Sequence, residues 1–238
     1  MIEIIRNLLI SFFAVAVLLP VVRYALRSMS TAPNAQTLTP DEVKYAQKQE
    51  LRLTIAYFFF ACVLSVFSAG MLAMISSILH TSSAHLYVLT PNFDALFAPG
   101  LLIGLTLAVI PLRLAQRALL GHEYDHYKKY MLQQEGPRSN RYYNILLILM
   151  LLISGAVGWY AMRWHVTIDR EEIRVTNFFY KNRAYSMKDI TRIQYLGAEG
   201  QYLVDFKDNT NLNTTYLKPI QLEMIALLAE ESEKRVIR

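Results

Sequence analysis

The chain has 238 residues and a net charge of +5, with 54% hydrophobic and only 18% charged residues. Soluble domains run at about 45–50% apolar and about 25% charged, so the balance lies toward a membrane protein. It excludes a disordered chain, a collagen-like repeat and a disulfide scaffold, and the lone Cys62, inside an apolar run, is expected to be a buried thiol.

A hydrocarbon core of about 30 Å takes roughly 20 apolar residues as a helix. Four stretches meet or approach this. Asn7 to Val22, Leu53 to Leu79, Ala95 to Leu112 and Tyr142 to Met162 carry no charge. They predict a four-helix transmembrane domain over 1–163, with spans at about 5–26, 52–79, 95–118 and 143–163. The first is read as an uncleaved anchor, because Arg23 and Arg27 follow its apolar run and oppose translocation of what comes next.

Basic residues set the expected orientation. The first connection holds Arg23, Arg27, Lys44, Lys48 and Arg52, and the third holds Arg113, Arg117, Lys128, Lys129, Arg138 and Arg141. The second, from His80 to Ala98, holds none. By the positive-inside rule, loops 27–51 and 119–141 are expected in the cytoplasm, with both termini outside. A bacterial inner membrane is the expected location.

Thr39-Pro40-Asp41-Glu42 has the form of a helix start: a capping residue, a proline at the first helical position and a glutamate to complete a capping box. No breaker follows until His80, so this helix is expected to be about 60 Å long and to project beyond the bilayer. The third membrane helix is expected to continue to about Gln134, with Pro111 placed to kink it.

Small residues recur every four positions. Ala61, Ser65, Ala69, Ala73 and Ser77 mark the second helix, and Gly100, Gly104 and Ala108 mark the third. Such lines let helix backbones approach closely in lipid, either within one chain or at a homo-oligomer seam. The four apolar stretches hold no Asp, Glu, Lys, Arg or His, which argues against a pump or ion-coupled transporter.

After Trp164 the pattern turns β-like. Short runs around Ile173, Tyr185, Ile190–Tyr195, Tyr202–Phe206 and Leu212–Tyr216 are broken by turn residues, and a helix is expected from Pro219 to about Arg235. This predicts a small antiparallel β domain over 164–238, closed by one helix. The order Val166-Thr167-Ile168-Asp169, Glu172-Ile173-Arg174-Val175, Asn177-Phe178-Phe179, then Tyr185-Ser186-Met187-Lys188-Asp189-Ile190 resembles the bacterial pleckstrin-homology-like domains appended to transmembrane helices. The resemblance covers only this C-terminal part. It implies a bent antiparallel sheet capped by a helix, a binding or scaffolding role and no catalytic residues. Basic residues in and near a turn, Lys181 and Arg183 with Arg170, Arg174 and Arg192, are the candidate lipid or protein surface.

One stretch has the form of a catalytic motif. His122-Glu123-Tyr124-Asp125-His126 matches His-Glu-x-x-His, in which two histidines one turn apart hold Zn²⁺ and the glutamate activates water. Here Tyr124, Asp125, Lys128 and Lys129 surround it, so it reads as a solvated helix.

The expected function is a non-enzymatic membrane scaffold or complex subunit without cofactor or metal. Its partners are the bilayer and either another protein or a second copy, and no nucleic acid. The alternatives are a zinc metalloprotease using His122, Glu123 and His126, and a transporter or lipid-handling protein.

Overall fold

The computed structural model describes residues 39–81, 85–135, 139–176, 182–197 and 200–237, with scattered positions between Arg6 and Tyr24. The first expected span, 5–26, lies largely outside the described residues, as do 27–38. Among the described residues three helices are long and apolar enough to cross a membrane: Pro40–Leu79, Phe93–Met131 and Asn140–Met162. Only 28%, 39% and 17% of their respective apolar windows is buried. A surface that apolar is stable against lipid and not against water.

Helix α1 (Pro40–Leu79) starts where the sequence signals it. The Thr39 N–H and hydroxyl both donate to Glu42 Oε2, at 3.0 and 2.9 Å. The helix expected as the third span is interrupted. It runs as α2 (Phe93–Leu107), α3 (Val109–Leu120), a 3₁₀ turn at Gly121–Glu123 and α4 (Tyr124–Glu135). The first interruption, at Ala108, follows from Pro111, which has no N–H to offer the carbonyl of Leu107. The second follows from Gly121, whose φ of 54° closes α3 with its N–H on Arg117 O. Helix α5 (Ser139–Met162) completes the apolar set.

The chain divides into two compact units. One contains Met1–Ser68 and Gly100–Ala156, and the other contains Ala69–Pro99 and Val157–Arg238. The second unit therefore joins the C-terminal β region to the ends of α1 and α5 and the start of α2. Its described residues form two four-stranded sheets. The first has β1 (Tyr87–Leu89), β2 (His165–Ile168), β3 (Glu172–Thr176) and β4 (Asn182–Ser186) in sequence order, all antiparallel. The second has β5 (Ile190–Tyr195), β6 (Tyr202–Phe206) and β7 (Asn211–Asn213) antiparallel. Helix α6 (Leu222–Ser232) follows, and β8 (Val236–Ile237) returns parallel to β5. The helix expected to reach Arg235 ends earlier because Glu233 turns left-handed at φ 55°, its N–H on Ala229 O and Glu230 O.

Strand β1 comes from the loop between two membrane helices, outside the expected 164–238. Its three residues are too few to carry a period-two pattern. Tertiary pairing decides them: Tyr87, Val88 and Leu89 stand opposite Ile168, Thr167 and Val166. Leu89 joins Val166, Ile168, Ile173, Ile193, Val204, Leu217, Met224 and Leu228 in one core. The Ser186-to-Asp189 stretch links the sheets. Ser186 N–H donates to Asp189 Oδ2 at 3.3 Å, while Met187 and Ile190 point into the core. Gly200 (φ 72°) is needed at the β5–β6 turn, since a Cβ there would stand 2.7 Å from Pro219 Cβ.

Leu89→Ala is expected to destabilise the β domain by about 2–4 kcal/mol, the usual cost of emptying a buried leucine site. Leu86→Ala, three residues away and exposed, is expected to stay within about 0.5 kcal/mol. Urea unfolding of the full chain in detergent measures both.

Candidate functional site

The small-residue lines meet in the first unit. Gly100, Gly104 and Ala108 are all buried, as are Ala61 and Ser65. A Cβ added at Gly104 would lie 2.3 Å from Ser65 N and 2.4 Å from Ser65 Cα, so α1 and α2 approach backbone to backbone. Tyr57 reinforces this by donating its hydroxyl to Leu105 O at 2.9 Å. Within α1 the buried line leaves the four-residue repeat. It passes through Ala61, Ser65, Ser68 and Ala69, then Leu72 and Ser76, while Ala73 and Ser77 are half-buried. A helix has 3.6 residues per turn, so a strict repeat of four rotates away from a fixed neighbour by about 40° per step.

The His-Glu-x-x-His stretch forms the corner between α3 and α4. His122 and Glu123 lie in the 3₁₀ turn, and His126 lies in α4. Both histidines are exposed. Glu123 faces α1. It accepts a hydrogen bond from Gln49 Nε2 and lies 3.7 Å from Arg52 Nη1, which also donates to Gln49 Oε1 at 3.2 Å. The carboxylate that would activate water thus ties α1 to the corner. A groove of about 360 Å³ runs beside it, lined by Asp41, Tyr45, His126, Tyr127, Lys129 and Tyr130 among others. Among the described residues no group of three His, Cys, Asp or Glu side chains is placed to hold a metal.

The basic residues of the β domain are divided. Val175 pairs with Arg183 and Arg174 pairs with Ala184, and neighbouring positions on a strand face opposite ways, so Arg174 and Arg183 occupy opposite faces. Arg174 pairs with Glu172 at 2.5 Å. Arg183 bonds Tyr185 and faces Asp208, which together hold its guanidinium above the ordinary range. Arg192 stands on β5 opposite Asp205, in the other sheet. Arg170 is exposed in the β2–β3 turn, and Lys181 lies outside the described residues. Beside Arg183, Tyr185 stacks on Phe206 with ring centroids 4.0 Å apart, and Thr210 Oγ1 donates to Tyr185 Oη at 3.0 Å.

Sequence reasoning missed a histidine cluster where the β domain joins the helices. The rings of His80 and His165 lie 4.1 Å apart at 32°. Each Nδ1 is 2.8 Å from a backbone carbonyl, of Ser76 and Arg163 respectively, which makes Nδ1 the protonated nitrogen. His85 Nδ1 meets Asp169 Oδ2 at 2.8 Å, and Leu86 N–H donates to Asp169 Oδ1 at 3.2 Å. Burial alone would raise the Asp169 carboxyl, but the bonds from His85 and Leu86, with the charges of His85 and Arg174, hold it below the usual range. Burial pushes His165 down, the nearby His80 and His85 add to this, and the Arg163 carbonyl opposes it. No spacing in the sequence connects His80 with His165, which meet beside the bond from Ser76 to Met162 O and the β1–β2 pairing.

Three outcomes are expected. Gly104→Ala forces two helix backbones apart and is expected to cost about 1–3 kcal/mol. Gly155→Ala, where a Cβ meets nothing within 4 Å, is expected to be neutral, and thermal unfolding in detergent reads both. Glu123→Ala is expected to cost about 1 kcal/mol, kept small because the pair is partly exposed, while His122→Ala and His126→Ala leave stability unchanged in the same assay. The third concerns pH. The native His165 resists a proton that the unfolded chain takes up near pH 6.5, so stability is present above that pH and is lost as pH falls through it. The unfolding temperature is expected to drop between pH 7 and 5, and His165→Phe to reduce that drop.

Comparison with protein-family models, with curated proteins and with solved structures finds no match to this chain.

Proposed function

We propose that the chain is a non-enzymatic integral membrane scaffold, or a subunit of a membrane complex, that presents a pleckstrin-homology-like domain on one side of the bilayer. The observation that carries this is the pairing of β1 with β2. A strand from an inter-helix loop, built into the domain's own core, holds the domain on the helices as a fixed platform rather than as a tethered appendage. The strand plan supports the likeness: four antiparallel strands in one sheet, three in the next and a helix after them. Six strands of 164–238, β2 to β7, precede α6, and β1 brings the number before that helix to seven.

Topology follows from the same pairing. Loop 80–92 and the C-terminal domain must share a side of the membrane. That loop carries no Lys or Arg and its neighbours carry many, so the shared side is the outside of a bacterial inner membrane, with loops 27–51 and 119–141 in the cytoplasm. Four spans, the first at about 5–26, put the N-terminus outside as well. A scaffold needs surfaces rather than a reaction centre. The engagement of Glu123 with Gln49 and Arg52 gives the His-Glu-x-x-His stretch a structural role.

Two measurements test this. In a Cys62→Ser chain, Leu86→Cys and Asp208→Cys are expected to react with an impermeant thiol reagent in intact cells, and Asn140→Cys only after permeabilisation. Opposite sidedness of Leu86 and Asp208 would overturn the platform. Mild-detergent purification is expected to recover a defined protein partner or a defined oligomer. One zinc per chain, lost in His122→Ala, would favour the protease instead.

A further inference from the structure

The segment between β7 and α6 is tied to two membrane helices within its unit. Asn92 N–H donates to Tyr216 O at 3.0 Å, and Asn92 Nδ2 donates to Thr215 O at 2.9 Å. Lys218 N–H donates to Thr90 O at 2.9 Å, and Pro91 and Leu217 form an antiparallel bridge. Asn92 immediately precedes α2 and caps it, its Oδ1 accepting from Ala95 N–H at 3.0 Å. The uncharged run of that helix begins at Ala95. From the other helix, Ser77 in the last turn of α1 accepts a hydrogen bond from the Lys218 ammonium. The end of one apolar run and the start of another therefore set this segment at the same depth.

Its side chains alternate. Leu217 turns into the β-domain core at 2% exposure, and Tyr216 and Lys218 turn outward, Tyr216 at 54%. A ring with a polar tip and a long apolar stem with a charged head are the side chains that suit the boundary between hydrocarbon and water. The last turn of α5 carries further residues of this kind. Trp159 and Tyr160 are half-exposed, Arg163 lies 4.8 Å over the Trp159 ring, and Ser76 on α1 donates to Met162 O at 3.1 Å.

We infer that Tyr216 and Lys218 anchor the β domain in the headgroup region of the bilayer. They continue the aromatic belt of Trp159 and Tyr160 onto the extramembrane domain. The occupant of this face is lipid, because the segment is bonded to the helices at the level where their apolar surface ends. The anchor would hold one edge of the domain at the membrane and leave the edge at the β6–β7 turn in water. The inference rests on the reading that α1, α2 and α5 cross a bilayer.

The test uses the full chain with Cys62→Ser in vesicles of phosphatidylethanolamine and phosphatidylglycerol. A nitroxide is attached at Tyr216→Cys, at Asp208→Cys in the β6–β7 turn and at Ile148→Cys in mid-α5, and collision with oxygen and with a water-soluble nickel chelate is measured. The expected order of depth is Ile148 deepest, Tyr216 intermediate and Asp208 aqueous, with nickel collisions at Tyr216 reduced several-fold relative to Asp208. Equal nickel access at Tyr216 and Asp208 would overturn the anchor while Ile148 stays deep. Exclusion of both probes at Tyr216 would also overturn it and assign the face to protein. Aqueous values at Ile148 would overturn the membrane reading itself. Lys218→Cys gives the same readout should the Tyr216 variant fail to fold.

Discussion

Backbone polar groups near a bilayer must find partners, and the short pairing of β1 with β2 is where this chain meets that constraint. The loop between α1 and α2 has few residues with which to satisfy its own peptides. Pairing with β2 satisfies them and supplies Leu89 to the β-domain core. Next to this pairing Asp169 meets His85, and beside the bond from Ser76 to Met162 O the ring of His80 meets that of His165. The bonds of Asn92, Thr90 and Ser77 to the 215–218 segment add a second set of ties. In this unit the β domain shares hydrogen bonds with the helix ends and a core with the loop between α1 and α2, so moving one strains the other.

The helical unit follows a different rule. Between helices that face lipid, hydrophobicity does not distinguish one contact from another, and close approach of backbones does. Gly104 against Ser65 provides that approach, and Tyr57 fixes it with a bond to a carbonyl. Toward the water side the contacts become polar, through Gln49, Arg52 and Glu123. The break at Gly121 separates α3 from α4, and Glu123 just after it is directed at α1.

Much of the architecture was legible in the sequence because it rests on local signals. The apolar runs, the Thr39–Glu42 start and the strands around Ile173, Ile193 and Val204 depend on composition and period. The features that escaped depend on distant pairing. Tyr87–Leu89 is too short to show alternation, and no spacing links His80 to His165 or Asn92 to Tyr216. The drift of the buried line from Ala73 to Leu72 is a matter of helical pitch that a four-residue repeat overlooks. The basic residues were read along the chain as one group, but strand alternation separates Arg174 from Arg183 and the second sheet carries Arg192 away from both. The His-Glu-x-x-His pattern was legible as a pattern, and the engagement of Glu123 with Gln49 and Arg52, which lie far away in sequence, was not.

The central claim is that loop 85–92 is part of the β domain. Hydrogen–deuterium exchange of the full chain in nanodiscs tests it most directly. The account predicts that amides of Tyr87–Leu89 exchange as slowly as those of β2 and β3 and lose protection together with them in mild denaturant. Exchange of 87–89 within seconds, while β2 and β3 stay protected, would contradict it.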